Sequence, residues 1–219
     1  MRPLDHLYAK NRAWAERVSS ENPHFFARLS EQQAPEYLWI GCADSRVPAS
    51  EIVDLMPGDL FVHRNVANVV VHTDLNCLSV LQYAVEVLRV RQVIVCGHYG
   101  CGGVEAAMHN KKLGLIDNWL RHVQDVYQKH RADLTAIKNE TARLDRLCEL
   151  NVIEQVVHVS RTTIVQNAWA TGQPLSVHGT IYGLRDGLLR DLGMCVTGEA
   201  ELEAAYESAT SLEAPLLFS

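Results

Sequence analysis

Residues 92–103 read QVIVCGHYGCGG and combine an apolar run with a polar, glycine-rich loop. The run from Gln92 to Cys96 is rich in β-branched residues, which predicts a buried strand. Before it lies a long stretch with helical spacing, Leu78 to Val90, and Thr73-Asp74 offers an N-cap for that helix. A helix followed by a buried strand and a polar loop is typical of an α/β protein.

The same alternation of strand and helix patterns continues along the chain. Strands are predicted at 37–40, 60–63, 175–182 and within 188–196, and helices at 48–55, 115–130, 143–171 and 199–209. This order predicts an α/β fold in which a mostly parallel central sheet is flanked by helices. Residues 5–32 also have helical spacing, with a break near Asn22-Pro23. We therefore expect an N-terminal helical arm over 1–34 and a single α/β domain over 35–219.

Composition narrows the function classes. The chain has 219 residues, 47% hydrophobic and 21% charged, with 20 basic and 26 acidic side chains for a net charge of −6. These values are ordinary for a globular protein and exclude a disordered chain, a collagen-like fibre and a coiled coil. The acidic balance argues against a nucleic-acid partner. Because no signal peptide or membrane segment is evident, we expect a cytoplasmic protein with reduced cysteines.

Two polar loops follow predicted strands, at the sheet edge where parallel strands place their binding crevice. The first reads Cys42-Ala43-Asp44-Ser45-Arg46, and the second contains His98 and Cys101. Any one of these thiols or the histidine, taken alone, is more often a core residue than a ligand. Two thiols, an imidazole and a carboxylate together are a typical zinc ligand set, so the loops predict a zinc site.

These loops carry the signatures of a known family. The chain resembles a β-class carbonic anhydrase, in which Cys-x-Asp-x-Arg corresponds to Cys42, Asp44 and Arg46, and His-x-x-Cys to His98 and Cys101. Similarity extends through residues 61–68 and 77–84. The resemblance implies a zinc enzyme that reversibly hydrates carbon dioxide to bicarbonate and a proton, by attack of zinc-bound hydroxide. It also implies Cys42, His98 and Cys101 as zinc ligands, with Asp44 or water in the fourth place.

Asp44 and Arg46 are the predicted catalytic residues. A catalytic zinc keeps one coordination position for water, and Asp44 on the metal would block it. The planar guanidinium of Arg46 can hold a carboxylate through two hydrogen bonds and so keep Asp44 off the zinc. The freed Asp44 could then orient the hydroxide. The alternative for Arg46 is an ordinary surface ion pair.

The resemblance also implies a substrate pocket and a regulatory site. The predicted substrate-binding residues are Gln33, Phe61, Val66, Tyr83 and Gly102. Trp39, Arg64 and Tyr182 match the bicarbonate-regulated, bacterial-type branch of the family and form a predicted allosteric bicarbonate site. The alternative is that the aromatic residues pack in the core and that Arg64 has a structural partner. The remaining cysteines, at 77, 96, 148 and 195, are predicted to be packing residues.

The expected partners are carbon dioxide and bicarbonate together with further copies of the chain. We expect a homodimer or homotetramer in which the N-terminal arm packs on a partner subunit and pocket residues are shared across the interface. Two other functions remain open. One is hydrolysis of carbon disulfide or carbonyl sulfide on the same scaffold, and the other is a zinc-stabilised protein without catalytic activity.

Overall fold

The computed structural model describes residues 3–31 and 33–211. The chain divides into two compact units, Met1–Ala34 and Pro35–Ser219. The first contains helices α1 (Asp5–Glu21) and α2 (Phe25–Glu31), and the Trp14 and Phe26 rings meet edge to face between them at 5.5 Å. The helices separate at residues 22–24, so the predicted break is confirmed.

The centre of the second unit is a β-sheet. Among the described residues, five strands form one sheet: β1 (Tyr37–Cys42), β2 (Leu60–Asn65), β3 (Gln92–His98), β4 (Ser176–Tyr182) and β5 (Leu189–Val196). Their order is β2-β1-β3-β4-β5, and every pairing is parallel except that of β5 with β4. The predicted α/β fold with a mostly parallel sheet is confirmed.

The strand register brings the two signature motifs to one edge. Cys42 is the last residue of β1, and the preceding Gly41 lies opposite Cys96 on β3. His98, two residues beyond Cys96, ends β3. The carboxyl ends of β1 and β3 therefore lie side by side, and both present ligand-type side chains there.

Helices flank the sheet and connect its strands. They are α3 (Ala49–Ile52), α4 (Leu75–Gln82), α5 (Gly102–Met108), α6 (Ile116–Lys129), α7 (Arg131–Ala136), α8 (Glu140–Ser160), α9 (Thr163–Ala170) and α10 (Glu199–Thr210). A 3-10 turn covers Val66–Asn68, and a π-helical turn over Tyr83–Val87 continues α4. The side chain of Asp74 accepts a hydrogen bond from the Asn76 N–H at 3.0 Å, so the predicted cap of α4 is confirmed. Within the described ranges, none of these helices combines the length and apolar character needed to cross a membrane.

Two sequence-based element predictions were wrong. The stretch 143–171 is two helices, because Thr162 adopts an extended backbone and its Oγ1 accepts a hydrogen bond from the Val165 N–H at 3.3 Å, which starts α9. The polar loop predicted at 97–103 is shorter than expected, since His98 belongs to β3 and Gly102 begins α5. The ligand-bearing turn is therefore held between two regular elements.

Helix α8 packs very closely on the sheet. A Cβ added at Gly97 of β3 would lie 2.5 Å from Val152 Cγ2, and one added at Gly179 of β4 would lie 3.1 Å from Val156 Cγ2. Real Cβ atoms do not approach other carbons as closely as the first of these distances, so Gly97 sets the separation of helix and sheet. Polar side chains of α8 consequently reach the loops at the edge of the sheet.

Candidate metal centre

Three buried side chains converge at the carboxyl ends of β1 and β3. Cys42 ends β1, His98 ends β3, and Cys101 is the N-cap of α5. One ligand atom from each lies within 4.8 Å of the other two, and none of the three residues is more than 5% exposed. The sequence prediction that these residues share one site is therefore met by their geometry.

The spacing of the three ligand atoms fits zinc. Two sulfurs bound at about 2.3 Å to a tetrahedral ion lie about 3.8 Å apart, and Cys42 Sγ and Cys101 Sγ are 3.8 Å apart. His98 Nδ1 lies 3.1 Å from the Tyr99 carbonyl oxygen, which can only accept, so this nitrogen carries the proton. His98 Nε2 is then an unprotonated, buried nitrogen with no hydrogen-bond partner among the described residues, as a metal ligand requires.

The local electrostatics favour a thiolate at Cys42. The hydrogen bond from Cys101 lowers the pKa of Cys42 to about 4 against the opposing effect of burial, and the backbone N–H groups of Asp44 and Ala67 contribute further. The same shared proton raises the pKa of Cys101. Because a metal binds thiolates, an ion at this site would displace the remaining proton.

Three other buried cysteines have the opposite character. Burial raises the pKa of Cys77, Cys96 and Cys148 to about 12, so these side chains remain neutral thiols within the core. Cys195 on β5 is exposed. None of these four cysteines belongs to the three-residue group described above. The predicted packing role fits the buried Cys77, Cys96 and Cys148 and is wrong for Cys195, whose place on β5 faces outwards.

Asp44 faces Arg46 at the margin of the group. Its Oδ1 accepts from Arg46 Nε at 2.9 Å and its Oδ2 from Arg46 Nη2 at 2.7 Å, which is a two-point carboxylate–guanidinium pair. The bonds from Arg46 hold the pKa of Asp44 well below its usual range. Asp44 Oδ2 also lies 3.6 Å from His98 Nε2. The carboxylate is thus close to the ligand atoms while it is bound to Arg46.

Arg64 binds the backbone that carries these residues. Its Nε donates to the Cys42 carbonyl oxygen at 2.9 Å, and its Nη2 donates to the Asp44 carbonyl oxygen. Trp39 is buried in a small cluster with Ala49 and Cys96, and Tyr182 packs against that cluster. The structure therefore brings Trp39 and Tyr182 together, and it attaches Arg64 to the loop that contains Cys42 and Asp44.

The predicted substrate residues are divided between two places. Val66 is near the ligand-bearing turn, since a Cβ added at Gly103 would lie 2.9 Å from its Cγ1, and Gly102 directly follows Cys101. Phe61 instead lies opposite Leu38, four residues or about 13 Å along the strand from Cys42.

Tyr83 accompanies Phe61, with ring centroids 5.9 Å apart, and is 44% exposed. Gln33 belongs to the N-terminal unit and is exposed. One copy of the α/β unit thus places Val66 and Gly102, but not Phe61 and Tyr83, beside its own ligand group.

Sequence reasoning missed a buried contact behind the ligand-bearing turn. Tyr99, between His98 and Cys101, donates its phenol O–H to Glu149 Oε1 of α8 at 2.8 Å. Burial and the adjacent carboxylate raise the pKa of Tyr99, so it remains a donor. The available signal was a carboxylate within an apolar stretch of a predicted helix, Leu147-Cys148-Glu149-Leu150.

A cavity of about 430 Å³ opens beside Arg46 and Tyr99. Leu144 and Leu184 give it apolar walls, and Arg185 also lines it. Arg46 is thus in contact with Asp44 on one side and borders open space on the other.

Known proteins match this chain over most of its length. A family model described as carbonic anhydrase matches residues 37–189, which include both signature motifs. The chain belongs to the β-carbonic anhydrase family. A carbonic anhydrase of Emericella nidulans is 48% identical over 204 residues, covering 92% of this chain and 89% of that protein.

Solved β-carbonic anhydrase structures also resemble this chain. The Coccomyxa β-carbonic anhydrase, solved in complex with acetazolamide, is 41% identical with a TM-score of 0.87, over 93% of this chain and 92% of that one. One of the structures described as two tetrameric β-carbonic anhydrases from Sordaria macrospora is 38% identical, with a TM-score of 0.84 over 90% of this chain and all of that one. The predicted family and enzyme class, a carbonate dehydratase, are confirmed. Zinc as the cofactor is confirmed as well, since β-carbonic anhydrases are zinc enzymes and the Cys-His-Cys group fits the ion.

Proposed function

We propose that this chain hydrates carbon dioxide reversibly at a zinc held by Cys42, His98 and Cys101, and that the Asp44–Arg46 pair controls access to the metal. The position of Asp44 is the observation that supports control of access to the metal. Its Oδ2 is 3.6 Å from His98 Nε2, while both carboxylate oxygens accept hydrogen bonds from Arg46. A carboxylate so close to the ligand atoms can either join them or be withheld by Arg46.

Each residue has a distinct role in this proposal. The two thiolates and the imidazole hold the metal, and Arg64 fixes the loop of Cys42 and Asp44 through its two carbonyl contacts. When bound there, zinc would act as a Lewis acid that makes water nucleophilic near neutral pH. Asp44, held by Arg46, presents a carboxylate acceptor towards the site and can orient a proton there.

Replacing the carboxylate with an amide tests the role of Asp44. In Asp44→Asn, we expect about one zinc per chain to remain and the hydration rate to fall by about 100-fold, because the charged pair with Arg46 and the acceptor are lost. Asp186 is the matched control, since it forms a similar two-point pair with Arg190 and lines the same cavity as Arg46, while its hydrogen bonds among the described residues do not reach Cys42, His98 or Cys101. Asp186→Asn should keep both zinc and rate. Wild-type activity in zinc-loaded Asp44→Asn would exclude the proposed role.

We also propose that bicarbonate regulates the enzyme through Trp39, Arg64 and Tyr182. In support, Trp39 and Tyr182 pack in one cluster, and Arg64 binds the carbonyls of Cys42 and Asp44. An anion that bound the Arg64 guanidinium would compete with its hydrogen bonds to the loop that carries Asp44. It would thereby shift the equilibrium between Asp44 bound to the metal and Asp44 bound to Arg46.

The sharper variant for this site is Tyr182→Phe, because Arg64→Ala would also break the two carbonyl bonds. Inhibition by bicarbonate, corrected for product inhibition, should weaken in Tyr182→Phe while the zinc content stays constant. Superimposable inhibition curves for this variant and the wild type would remove the regulatory site from the proposal.

We propose a homo-oligomer in which a second copy completes the substrate pocket and receives the N-terminal arm. In support, the Sordaria macrospora relatives are described as tetrameric. In addition, Phe61 lies about 13 Å along the strand from the level of Cys42, and Tyr83 packs beside Phe61. Light scattering at assay concentrations tests the assembly and separates dimer from tetramer, and an active monomer would contradict it.

Hydrolysis of carbon disulfide or carbonyl sulfide, and a non-catalytic zinc protein, are not favoured, because the matched relatives are carbonic anhydrases. A cytoplasmic location stays a prediction that cell fractionation can test.

A further inference from the structure

Tyr99 lies in the ligand-bearing turn and forms hydrogen bonds both within that turn and to the core. Its backbone N–H donates to the Tyr182 carbonyl oxygen at 3.0 Å, and its own carbonyl oxygen accepts from His98 Nδ1 at 3.1 Å. Its phenol O–H donates to Glu149 Oε1 at 2.8 Å. The carbonyl that fixes the proton of His98 thus belongs to a residue whose side chain is tied to α8.

Glu149 is an unusual residue for its place. It is 2% exposed and lies among apolar neighbours of α8, where a carboxylate is costly unless charged and hydrogen-bonded partners compensate it. Its Oε2 accepts from Arg146 Nη1 at 2.9 Å, so each carboxylate oxygen has one described donor. Apolar residues of similar size often stabilise such a position equally well. Stability alone therefore gives little reason for a carboxylate here.

Arg146 extends the network to the end of another helix. It is 8% exposed, and its Nη2 lies 3.3 Å from the Ala209 carbonyl oxygen and 3.2 Å from that of Thr210, in the last turn of α10. The last carbonyls of a helix lack partners within the helix and carry partial negative charge. One guanidinium therefore neutralises Glu149 and also caps α10.

We propose that Glu149 is a positioning residue for the metal site, acting through Tyr99 on His98 and Cys101, with Arg146 holding Glu149 in place. When Tyr99 is anchored, its carbonyl oxygen remains on His98 Nδ1 and leaves Nε2 unprotonated and directed to the ligand group. Outer contacts of this kind typically change metal affinity by 10–100-fold. The inference rests on the proposed role of His98 and Cys101 as zinc ligands.

The experiment compares two variants that each remove one phenol oxygen. Tyr99→Phe breaks the bond to Glu149. The matched control is Tyr206→Phe, because the Tyr206 O–H donates at 2.6 Å to Glu154, a buried carboxylate on the same helix that belongs to a separate cluster with His130 and Lys129. Both variants lose a hydrogen bond to a buried carboxylate of α8, but Tyr99 alone adjoins the ligands.

Zinc affinity is measured on each holoprotein by competition with a chelator of known affinity. The thermal unfolding temperature of each protein is measured as well. Each protein is also prepared with cobalt in place of zinc. The charge-transfer bands of its thiolates and its ligand-field bands then report the geometry of the ligands. We expect Tyr99→Phe to bind zinc about tenfold more weakly, with a shifted cobalt spectrum. Tyr206→Phe should keep wild-type affinity and spectrum, with a comparable loss of thermal stability.

The outcomes separate this inference from the proposed function. A wild-type protein that binds no zinc, or a Cys101→Ser variant that still binds it normally, would reject the metal centre itself. Wild-type zinc affinity and spectrum in Tyr99→Phe would reject only the positioning role. Equal losses of affinity in Tyr99→Phe and Tyr206→Phe would also reject it, since the effect would then follow general stability.

Discussion

Two arginine–carboxylate pairs lie next to the metal-binding segments, and they differ in exposure. In the Asp44–Arg46 pair, the Arg46 side chain is 58% exposed, whereas in the Glu149–Arg146 pair the Arg146 side chain is 10% exposed. Exposed pairs open at little cost because water solvates the separated charges. A buried pair cannot open without leaving a charge in the core. The exposed pair therefore suits the movement on and off the metal that we propose for Asp44, and the buried pair suits the fixed position that we propose for Glu149.

The largest effect is expected when a zinc ligand is replaced and the ion itself is lost. Cys101→Ser should lose zinc and reduce hydration by more than about 100-fold, because a neutral hydroxyl replaces a thiolate ligand and direct ligands matter more than outer contacts. Metal analysis and an initial-rate assay measure both quantities. The control is Cys77→Ser, a buried thiol outside the ligand group. Full zinc occupancy in Cys101→Ser would remove Cys101 from the site.

Removing Arg46 or Arg146 tests whether the exposed and the buried pair differ in this way. Arg146→Ala should lower the free energy of unfolding by about 3 kcal/mol, since it leaves the Glu149 carboxylate buried and without its charged partner. Arg46→Ala should leave the unfolding transition close to that of the wild type but reduce hydration by about tenfold or more, because Asp44 is then free to occupy the metal. Urea unfolding and hydration rates, measured on the zinc-loaded proteins, give the two readouts. A large loss of stability in Arg46→Ala, with none in Arg146→Ala, would reverse the assignment.

The smallest expected effect concerns Glu154, a buried carboxylate of α8 in its own polar cluster. Burial alone would raise its pKa, but hydrogen bonds from His130, Tyr206 and Lys129 outweigh burial and lower the pKa to about 2. A lowered pKa stabilises the fold above the unfolded-state value of about 4.5, and this contribution is lost as the pH falls towards 2. Glu154→Gln should remove about 1 kcal/mol of stability at neutral pH, less than the roughly 3 kcal/mol that the whole shift represents, because the Gln amide oxygen still accepts hydrogen bonds. The stability of this variant should also fall less steeply than that of the wild type as the pH is lowered.

The measurement is the difference in unfolding free energy between wild type and Glu154→Gln from pH 6 to pH 2.5. Loss of zinc at low pH affects both proteins and so cancels in this difference. A constant difference between pH 6 and pH 2.5 would show that Glu154 is not a coupled titrating group. Zinc affinity at neutral pH should be the same in both proteins, which distinguishes this buried carboxylate from Glu149.

The ligands and the Asp44–Arg46 pair were predictable because their chemistry is local. Cys42, Asp44 and Arg46 are spaced two residues apart after a strand, and His98 and Cys101 follow a neighbouring one, so parallel pairing alone brings them to one edge. The order of strand and helix patterns likewise predicted the α/β fold. Residue type and short spacing carry this information without any knowledge of packing.

The contacts behind the site depend on packing and were not predictable in this way. Glu149 meets Tyr99 across 50 residues of sequence, and α8 is buried on all sides over Leu147–Val157, so its polar residues follow no solvent-facing period. Arg64 shows the same limit. Its charge suggested an anion site, but its reach to the carbonyl oxygens of Cys42 and Asp44 depends on the pairing of β1 with β2.

The close packing of α8 on β3 has a consequence for mutational tolerance. Gly97 has ordinary strand geometry, so its own backbone would accept an alanine, yet the added methyl group would meet Val152 and displace the helix. Glu149 lies one helical turn before Val152 and would move with it, away from Tyr99. A substitution at Gly97 is therefore expected to disturb the metal site. It would do so by shifting α8, which follows some fifty residues later in the sequence and carries Glu149.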